Sequence, residues 1–290
     1  MKFSISNAFL VMRKEYVKWL MNPRHIMLLL IFIPTREMII NPMIEVSNEM
    51  GQPLNVFESA IATTNSGIII IILTTVYMVL ISSFPTMDGN VLFYMKRMGK
   101  RSWIIGEIMF QCLSALTYTI VVYMVSILQT AGISFISNGW SIAVTDHDKL
   151  YGDMSVIQMD SIIPPNLYNQ MSPYKALFTS FSLLCMFLII CSMFFTVGCM
   201  YSRKLLFFCL MIVQIALGGA LYILSGSRAM WYFVICHAFL SSHYSMYFRK
   251  YLFSPWRSYF ILAAIIAVLC LIAYRKAGKL NLDALEERRL

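Results

Sequence analysis

The sequence predicts an all-α membrane protein with six transmembrane helices, an N-terminal interfacial amphipathic helix and a re-entrant outer hairpin before the last span. Of its 290 residues, 59% are hydrophobic and only 13% are charged, which is more apolar than a water-soluble domain. Several segments stay apolar for the roughly 20 residues that a spanning helix needs. A membrane β-barrel is excluded, because its strands alternate in polarity, whereas "SGIIIIILTTVYMVLISSF" is continuously apolar. Residues 1–290 are therefore predicted to form a single transmembrane domain.

Residues 1–23 are predicted to form an amphipathic helix on the membrane surface. On a helical wheel, one arc is apolar and contains Ile5, Ala8, Phe9, Met12, Tyr16, Trp19 and Leu20. Lys14 and Lys18 lie on the opposite side, and this two-sided pattern is typical of a helix with one apolar face. Asn22 and Pro23 end the helix, because proline lacks a backbone donor and restricts the residue before it.

Six apolar segments are predicted to span the bilayer. They are 25–44, 65–84, 104–128, 176–200, 205–224 and 258–274. With a cytoplasmic N-terminus, the inner segments hold 16 Lys and Arg, whereas the outer segments 41–62 and 129–175 hold only Lys149 and Lys175. The positive-inside rule then predicts that the N-terminus and the tail 275–290 lie in the cytoplasm.

The formal charge of +9 does not indicate a nucleic-acid partner. The basic residues cluster at the ends of the predicted spans, where topology and attraction to anionic membrane lipids account for them.

The segment 225–257 is difficult to assign either as a membrane span or as a loop. It contains "WYFVICHAFLSSHYSMYF", which is apolar but carries His237, His243 and several serines. A seventh span there would put the basic tail outside, so we expect a re-entrant or outer-leaflet hairpin. On a continuous helix the two histidines, six residues apart, would lie on opposite sides, so we expect no shared metal or proton relay.

The stretch "FYMKRMGKRSW", residues 93–103, has two possible roles between two apolar runs. A nucleotide-binding phosphate loop needs glycine five positions before its Gly-Lys pair and Ser or Thr after it; Tyr94 and Arg101 occupy those positions. Asp88 is instead a plausible helix N-cap and Gly99 a helix stop. The segment is either a solvated basic loop or a short cytoplasmic helix that docks on a partner.

Two segments resemble the permeases of the ABC transporter type two family. "RKEYVKWLMNPRHIMLLLIFIP" is similar to the start of these permeases, with an amphipathic helix, Asn-Pro-Arg and a first span that contains proline. "MDGNVLFYMKRMGKRSWIIGEIMF" is similar to the family's segment between spans two and three, where an acidic residue opens a coupling helix. The layout of six spans with an outer hairpin also fits, so the resemblance covers most of the chain.

The resemblance implies a permease subunit of an ABC exporter, and not an enzyme. The chain would hold no cofactor and no metal, since ATP and Mg would bind two copies of a separate ATPase subunit. A second permease copy, or a homologous permease, would complete the dimer. The coupling segment 85–103 would contact the ATPase through Asp88, Leu92, Met95, Lys96, Arg97, Lys100 and Arg101. The interfacial helix, with Lys14, Glu15 and Trp19, would act as a second lever.

Polar residues inside the predicted spans are candidates for a substrate path. They are Arg36, Glu37, Glu107, Gln111 and Gln214. Arg36 and Glu37 lie near mid-bilayer if the first span begins near His25, and charges there face a protein interior or an aqueous path; alternatively the span ends near Pro34 and both lie at the outer interface. For the other three, hydrogen bonds between helices are the alternative.

The outer loop 129–175 contains "TDHDKLYGD", whose acidic residues and histidine could bind a metal. Leu150 and Tyr151 stand where an EF-hand needs an oxygen ligand and glycine, so we expect a solvated loop.

Three function classes follow from the sequence. Abundant Met and Phe, 22 and 20 residues, favour a hydrophobic or amphipathic cargo such as a peptide, an antibiotic or a lipid. A membrane scaffold or sensor that binds an ATPase without transport is the alternative to an exporter. An intramembrane enzyme is disfavoured, because no spaced set of His, Asp or Cys lies inside the spans.

Overall fold

A computed structural model of the chain describes residues 4–85, 95–152, 156–224, 228–246 and 250–279. The helices in chain order are α1 (Ile5–Leu20), α2 (Pro23–Met50), α3 (Glu58–Thr63), α4 (Gly67–Ile81), α5 (Lys100–Thr130), α6 (Ile142–Tyr151), α7 (Met159–Ile162), α8 (Pro165–Tyr168), α9 (Pro173–Met200), α10 (Lys204–Leu224) and α11 (Pro255–Gly278). Two short strands, β1 (Leu54–Asn55) and β2 (Ser134–Phe135), pair in parallel.

Five helices are long and apolar enough to cross a membrane, which is the architecture of a multi-pass membrane protein. They are α2, α5 with its extension to Ile133, α9, α10 and α11. The predicted span at 65–84 corresponds to α4, which has 15 residues. At 1.5 Å per residue α4 is about 22 Å long, shorter than the roughly 30 Å of a hydrocarbon core.

The α9 helix lies at the centre of the bundle. Of its most apolar 18-residue window, 72% is buried inside the protein, against 22% for α10 and for α11. Large apolar side chains on the open faces of these helices remain exposed, among them Phe178, Leu205 and Phe260. Apolar side chains on the outside of a helical bundle are suited to contact with lipid.

Hydrogen bonds between helices hold the interior together. The Tyr118 hydroxyl donates to the Leu73 carbonyl at 2.6 Å, and the Tyr123 hydroxyl lies 2.9 Å from the Ser180 hydroxyl and 3.1 Å from that of Thr64. These bonds join α5 to α4 and to α9. They satisfy buried hydroxyl groups where lipid or apolar side chains offer no partner.

A cap, formed by the described residues 51–58, 130–152 and 156–172, covers one end of the bundle. The sequence predicts a solvated loop here, and this expectation is wrong, because the cap has its own buried core. Val144 and His147 of α6 are almost completely buried. The Asp148 carboxylate accepts hydrogen bonds from the amides of Met159 and Asp160 at 2.9 and 2.7 Å, which tie α6 to α7.

Glu58 is the buried acid that joins the cap to α3. Its carboxylate accepts hydrogen bonds from the Asn55 amide at 2.8 Å, the Ser141 amide at 2.6 Å and the Ser141 hydroxyl at 2.8 Å. Burial raises the pKa of Glu58 to about 7, although the hydrogen bonds from Ser141 and Asn55 act in the opposite direction. The folded cap therefore binds a proton at pH values where the unfolded chain is ionised.

We expect this proton to make the stability of the protein depend on pH. Because the folded pKa lies above the unfolded value of 4.5, the stabilising effect is complete below pH 4.5 and is lost as the pH rises through 7. It amounts to at most about 3 kcal/mol. Thermal unfolding between pH 5 and 8 measures it. In Glu58→Gln, which mimics the neutral acid, this dependence should disappear; an unchanged slope would contradict the assignment.

The described part of the segment between α10 and α11 contains three short 3-10 turns. They are Arg228–Tyr232, Val234–Ala238 and Ser241–His243. The Val234 amide donates to Gln214 Oε1 of α10 at 3.3 Å, and the Ser241 amide donates to Asn65 Oδ1 at 3.0 Å. Asn65 lies at the break between α3 and α4, so the segment is bonded to two parts of the bundle.

The expectation that His237 and His243 lie on opposite sides is wrong. It assumed one continuous helix, whereas the backbone between them leaves the 3-10 turn at Phe239 in an extended conformation. His237 Nδ1 and His243 Nε2 both lie 2.8 Å from Ser258 Oγ of α11.

Candidate coupling surface

The α1 helix is hydrogen bonded along α5, the helix that begins within the predicted coupling segment. The Ser4 amide donates to Ser102 Oγ at 3.1 Å, and the Tyr16 and Thr117 hydroxyls lie 2.8 Å apart. These contacts are separated by almost the whole length of α1. The two helices therefore pack side by side rather than crossing at one point.

Gly106 of α5 allows the closest approach of the two helices. A Cβ atom at this position would lie 2.6 Å from the Ala8 carbonyl oxygen and 2.7 Å from the Val11 Cβ. Because a backbone oxygen cannot move away as a side chain can, only glycine fits without displacing α1.

The apolar arc predicted for α1 is divided between two environments. Ile5, Phe9 and Leu20 are exposed, as expected of a helix that faces lipid, but Ala8 and Trp19 are buried in the protein. Trp19 stacks on Tyr16 with ring centroids 5.8 Å apart and meets the His25 ring edge-on at 4.7 Å. The assignment of Trp19 to the membrane-facing arc is therefore wrong. Of the other two predicted lever residues, Glu15 is buried and Lys14 is half-buried.

The described part of the coupling segment begins at Met95, so the predicted contacts Asp88 and Leu92 lie outside the described residues. Residues 95–98 form a helical turn that ends at Gly99, whose φ of 90° is in the region that favours glycine. Met95 is buried in the same apolar cluster as Val11 and Trp103. The turn is therefore anchored to both α1 and α5.

The basic residues of this segment differ in exposure. Lys96, Arg97 and Arg101 are exposed and Lys100 is half-buried. Arg101 lies 5.7 Å from the ring centroid of Tyr274, near the end of α11. These exposed cations form one surface with the start of α5, which we call the coupling surface (residues 95–101).

Several basic residues lie at the same end of the bundle. Arg24, at the start of α2, donates hydrogen bonds to Ser82 and Ser83, which follow α4, at 3.0 and 2.6 Å. Lys276 near the end of α11 lies 4.5 Å from the ring centroid of Tyr201, which follows α9. Each of these two basic residues thus contacts the end of another helix.

Glu107 lies roughly two helical turns beyond the coupling surface along α5, and it is completely buried. Neither of its carboxylate oxygens accepts a hydrogen bond from the part of the chain that the structure describes. The charges of Glu15 and Lys18, both on α1, act on it. Glu107 therefore belongs to the contact between α1 and α5.

The candidate substrate-path residues are not brought together. Gln111 Nε2 donates to Thr196 Oγ1 of α9, and Gln214 bonds to the segment before α11, so the hydrogen-bonding alternative describes their observed contacts. Arg36 and Glu37 are exposed on α2. Substrate contact stays a prediction for each of them.

Arg36 and Glu37 begin a π-helical stretch, Arg36–Ile40, and Asn41 Nδ2 donates to Glu37 Oε2 at 3.2 Å. Helical structure continues through this stretch to Met50. The helix therefore does not end near Pro34; whether the membrane span ends there, with both residues at the outer interface, stays a prediction.

Sequence reasoning missed two buried polar sites. The sequence does not single out Glu58, and it predicts that His237 and His243 lie on opposite sides of a helix. No local signal identifies either site, because the partner that completes each one is distant in the sequence. Ser141 lies 83 residues from Glu58. Ser258 lies 21 residues from His237.

A comparison with protein-family models, with curated proteins and with solved structures finds no significant match for this chain.

Proposed function

We propose that this chain is the permease subunit of an ATP-driven ABC exporter of the type two class. The observation that carries the proposal is the anchoring of the coupling surface. Met95 is buried against α1 and α5 while the neighbouring Lys96 and Arg97 are exposed. A partner that pushes on this surface would move α1 and α5 together, because Gly106 leaves no free space between them.

The proposed topology has six spans, with α4 and its flanking residues as the second, and both termini in the cytoplasm of a bacterial cell. The contacts of Arg24 and Lys276 support a common basic face at one end. The segment 225–257 would be the outer re-entrant hairpin. The open apolar face of α1 would rest on the inner leaflet.

The proposed partners are two ATPase subunits, which would hold ATP and Mg, and a second permease copy or a homologous permease. The exposed pair Arg36 and Glu37 supports the permease dimer. Arg36 lies about 20 Å along α2 from Pro23, and charges at such depth are costly in lipid. Across a two-fold axis, each Arg36 could meet Glu37 of the other copy, since such interfaces are self-complementary.

The cargo would move between the paired permeases and would be hydrophobic or amphipathic: a peptide, an antibiotic or a lipid. The runner-up function is a membrane scaffold or sensor that binds the ATPase without moving a cargo. Both functions use the coupling surface, so only transport itself separates them.

The test is reconstitution of the chain in lipid nanodiscs with the ATPase subunit encoded beside it. We expect a complex with two ATPase copies, and ATP turnover that rises at least severalfold with an amphipathic cargo. Hydrolysis of ATP by the isolated chain, or failure of the two subunits to associate, would overturn the proposal. A stable complex whose ATP turnover does not change with any cargo in a chemically varied panel would favour the scaffold.

A further inference from the structure

Two histidines and a serine form a closed polar cluster where the segment before α11 meets α11. His237 is 2% exposed, and His243 and Ser258 are completely buried. One nitrogen of each imidazole ring lies 2.8 Å from the Ser258 hydroxyl oxygen. Both distances are those of hydrogen bonds, so a single hydroxyl group connects the two rings.

The remaining ring nitrogens fix which atoms carry protons. His243 Nδ1 lies 2.8 Å from the Phe239 carbonyl oxygen, and His237 Nε2 lies 3.1 Å from the Trp231 carbonyl oxygen. A carbonyl oxygen only accepts, so both of these nitrogens carry hydrogen and donate. In neutral rings, the two nitrogens that face Ser258 are then both acceptors.

The two contacts of Ser258 need one more hydrogen atom than the neutral groups supply. The hydroxyl has one proton and can donate to only one of the two acceptor nitrogens. The other contact would bring two lone pairs together at hydrogen-bond distance. One additional proton removes the conflict: a protonated ring donates to Ser258 Oγ, and Ser258 donates to the other ring. A second additional proton would leave both rings donating and the Ser258 proton without an acceptor.

Two aromatic rings enclose the cluster and are suited to a cation. Trp231 lies 5.4 Å from the His237 ring and 5.0 Å from the His243 ring, and Phe253 lies 5.5 Å from His237. Trp231 and Phe253 stack on each other at 4.4 Å and are only half-buried. Aromatic rings at such distances stabilise a positive charge, and their partial exposure places the cluster one side-chain layer below the surface.

Titratable groups on the surrounding elements have other partners. The hydroxyl of Tyr222 on α10 bonds to Ser241, and that of Tyr259 on α11 bonds to Ser182 of α9. Cys236 Sγ contacts the Gly218 carbonyl, and Arg228 and Arg257 are exposed. Within the described residues, no carboxyl group is hydrogen bonded to either histidine. The nearby charge that acts on His243 is that of His237.

We propose that His237, Ser258 and His243 form a binding site for one proton, which the two imidazole rings share through the serine hydroxyl. The proton would enter from the outer side of the membrane, past Trp231 and Phe253. Proton uptake here does not depend on an ATPase partner, so the site and the exporter assignment can fail separately.

Burial sets the pH range in which the site fills. It lowers the pKa of His237 below its usual value and that of His243 to about 4. Since these folded values lie below the unfolded value of 6.5, the stability contributed by the neutral pair is present above pH 6.5. It is lost as the pH falls through the folded pKa. The shared site limits this acid penalty to one proton.

Histidine labelled with ¹³C and ¹⁵N tests the proposal by NMR on the full chain in nanodiscs, titrated from about pH 8 to about pH 3. The chain has four histidines, so His25 and His147 serve as internal references. At pH 8 we expect hydrogen on Nδ1 of His243 and on Nε2 of His237. On acidification, the signals of both rings should move together, with a total uptake of one proton. Reversed tautomers, two independent titrations, or two rings that stay neutral at about pH 3 would each overturn the proposal.

The variant Ser258→Ala tests whether the two rings share the proton through the serine or interact only because they lie close together. In this variant the two rings should titrate independently, because the connecting hydroxyl is gone. The matched control is Ser242→Ala: Ser242 is also buried, but its hydroxyl bonds to the Phe239 and Cys236 carbonyls rather than to a ring. The control should keep the joint titration. Joint titration in Ser258→Ala would show that the serine does not carry the proton.

Discussion

Arg97→Glu is expected to abolish binding of the ATPase partner while leaving the chain inserted in the membrane. Arg97 is exposed on the turn that Met95 anchors to the bundle, so its side chain can change without disturbing the core. Reversing a charge at an interface both removes an attraction and creates a repulsion, at a cost of several kcal/mol. We therefore expect at least a tenfold loss of affinity, measured by co-purification and by ATP turnover of the reconstituted complex.

The matched control is Arg257→Glu. Arg257 is also an exposed arginine on a helix, but it lies near the start of α11, at the opposite end from the coupling surface. This variant should assemble and turn over normally. Equal loss in both variants would point to a general effect of net charge. Normal assembly of Arg97→Glu would remove the coupling surface from the mechanism.

Gly106→Leu is expected to separate α1 from α5 and to uncouple ATP hydrolysis from transport. The first atom of the new side chain would already lie 2.6 Å from the Ala8 carbonyl oxygen, and the rest of the leucine needs more room. Such overpacking costs about 1–3 kcal/mol or more. We expect a lower melting temperature in detergent, together with ATP turnover that persists while cargo transport falls.

The control for this variant is Gly132→Leu, because a Cβ atom at Gly132 would meet no atom within 4 Å. It should change neither the melting temperature nor transport by more than the measurement error. If Gly106→Leu transports normally despite a lower melting temperature, α1 is a structural support and not a lever.

The sequence predicts the helical class and most span positions well, because a helix in lipid must remain apolar over its whole length. Long apolar runs therefore predict α2, α5, α9, α10 and α11 directly. The apolar run predicts the extent of α4 less well. Its apolar run is long, but Thr64, Asn65 and Ser66 leave the helix, and Asn65 uses its side chain to bond with Ile61 and Ser241. Such a break depends on partners that a single run does not contain.

The coupling surface could be predicted only in part. The basic residues and Gly99 are visible as a pattern, because charge and turn chemistry are local properties. That Met95 is buried, and that Trp19 is buried with its ring against Tyr16 and His25, is decided by the parts of the chain that pack alongside. A helical wheel separates apolar from polar positions, but it does not tell lipid from protein as the apolar neighbour.

By itself, the sequence determined that this chain forms apolar helices with basic residues gathered at their ends, since solvation in lipid acts on each residue separately. Only the tertiary structure decided that Glu58 holds the cap and that His237 and His243 meet at one serine. The physical reason is that a buried polar group is tolerated only when specific partners satisfy its hydrogen bonds. Those partners come from distant parts of the chain, and packing alone brings them within reach.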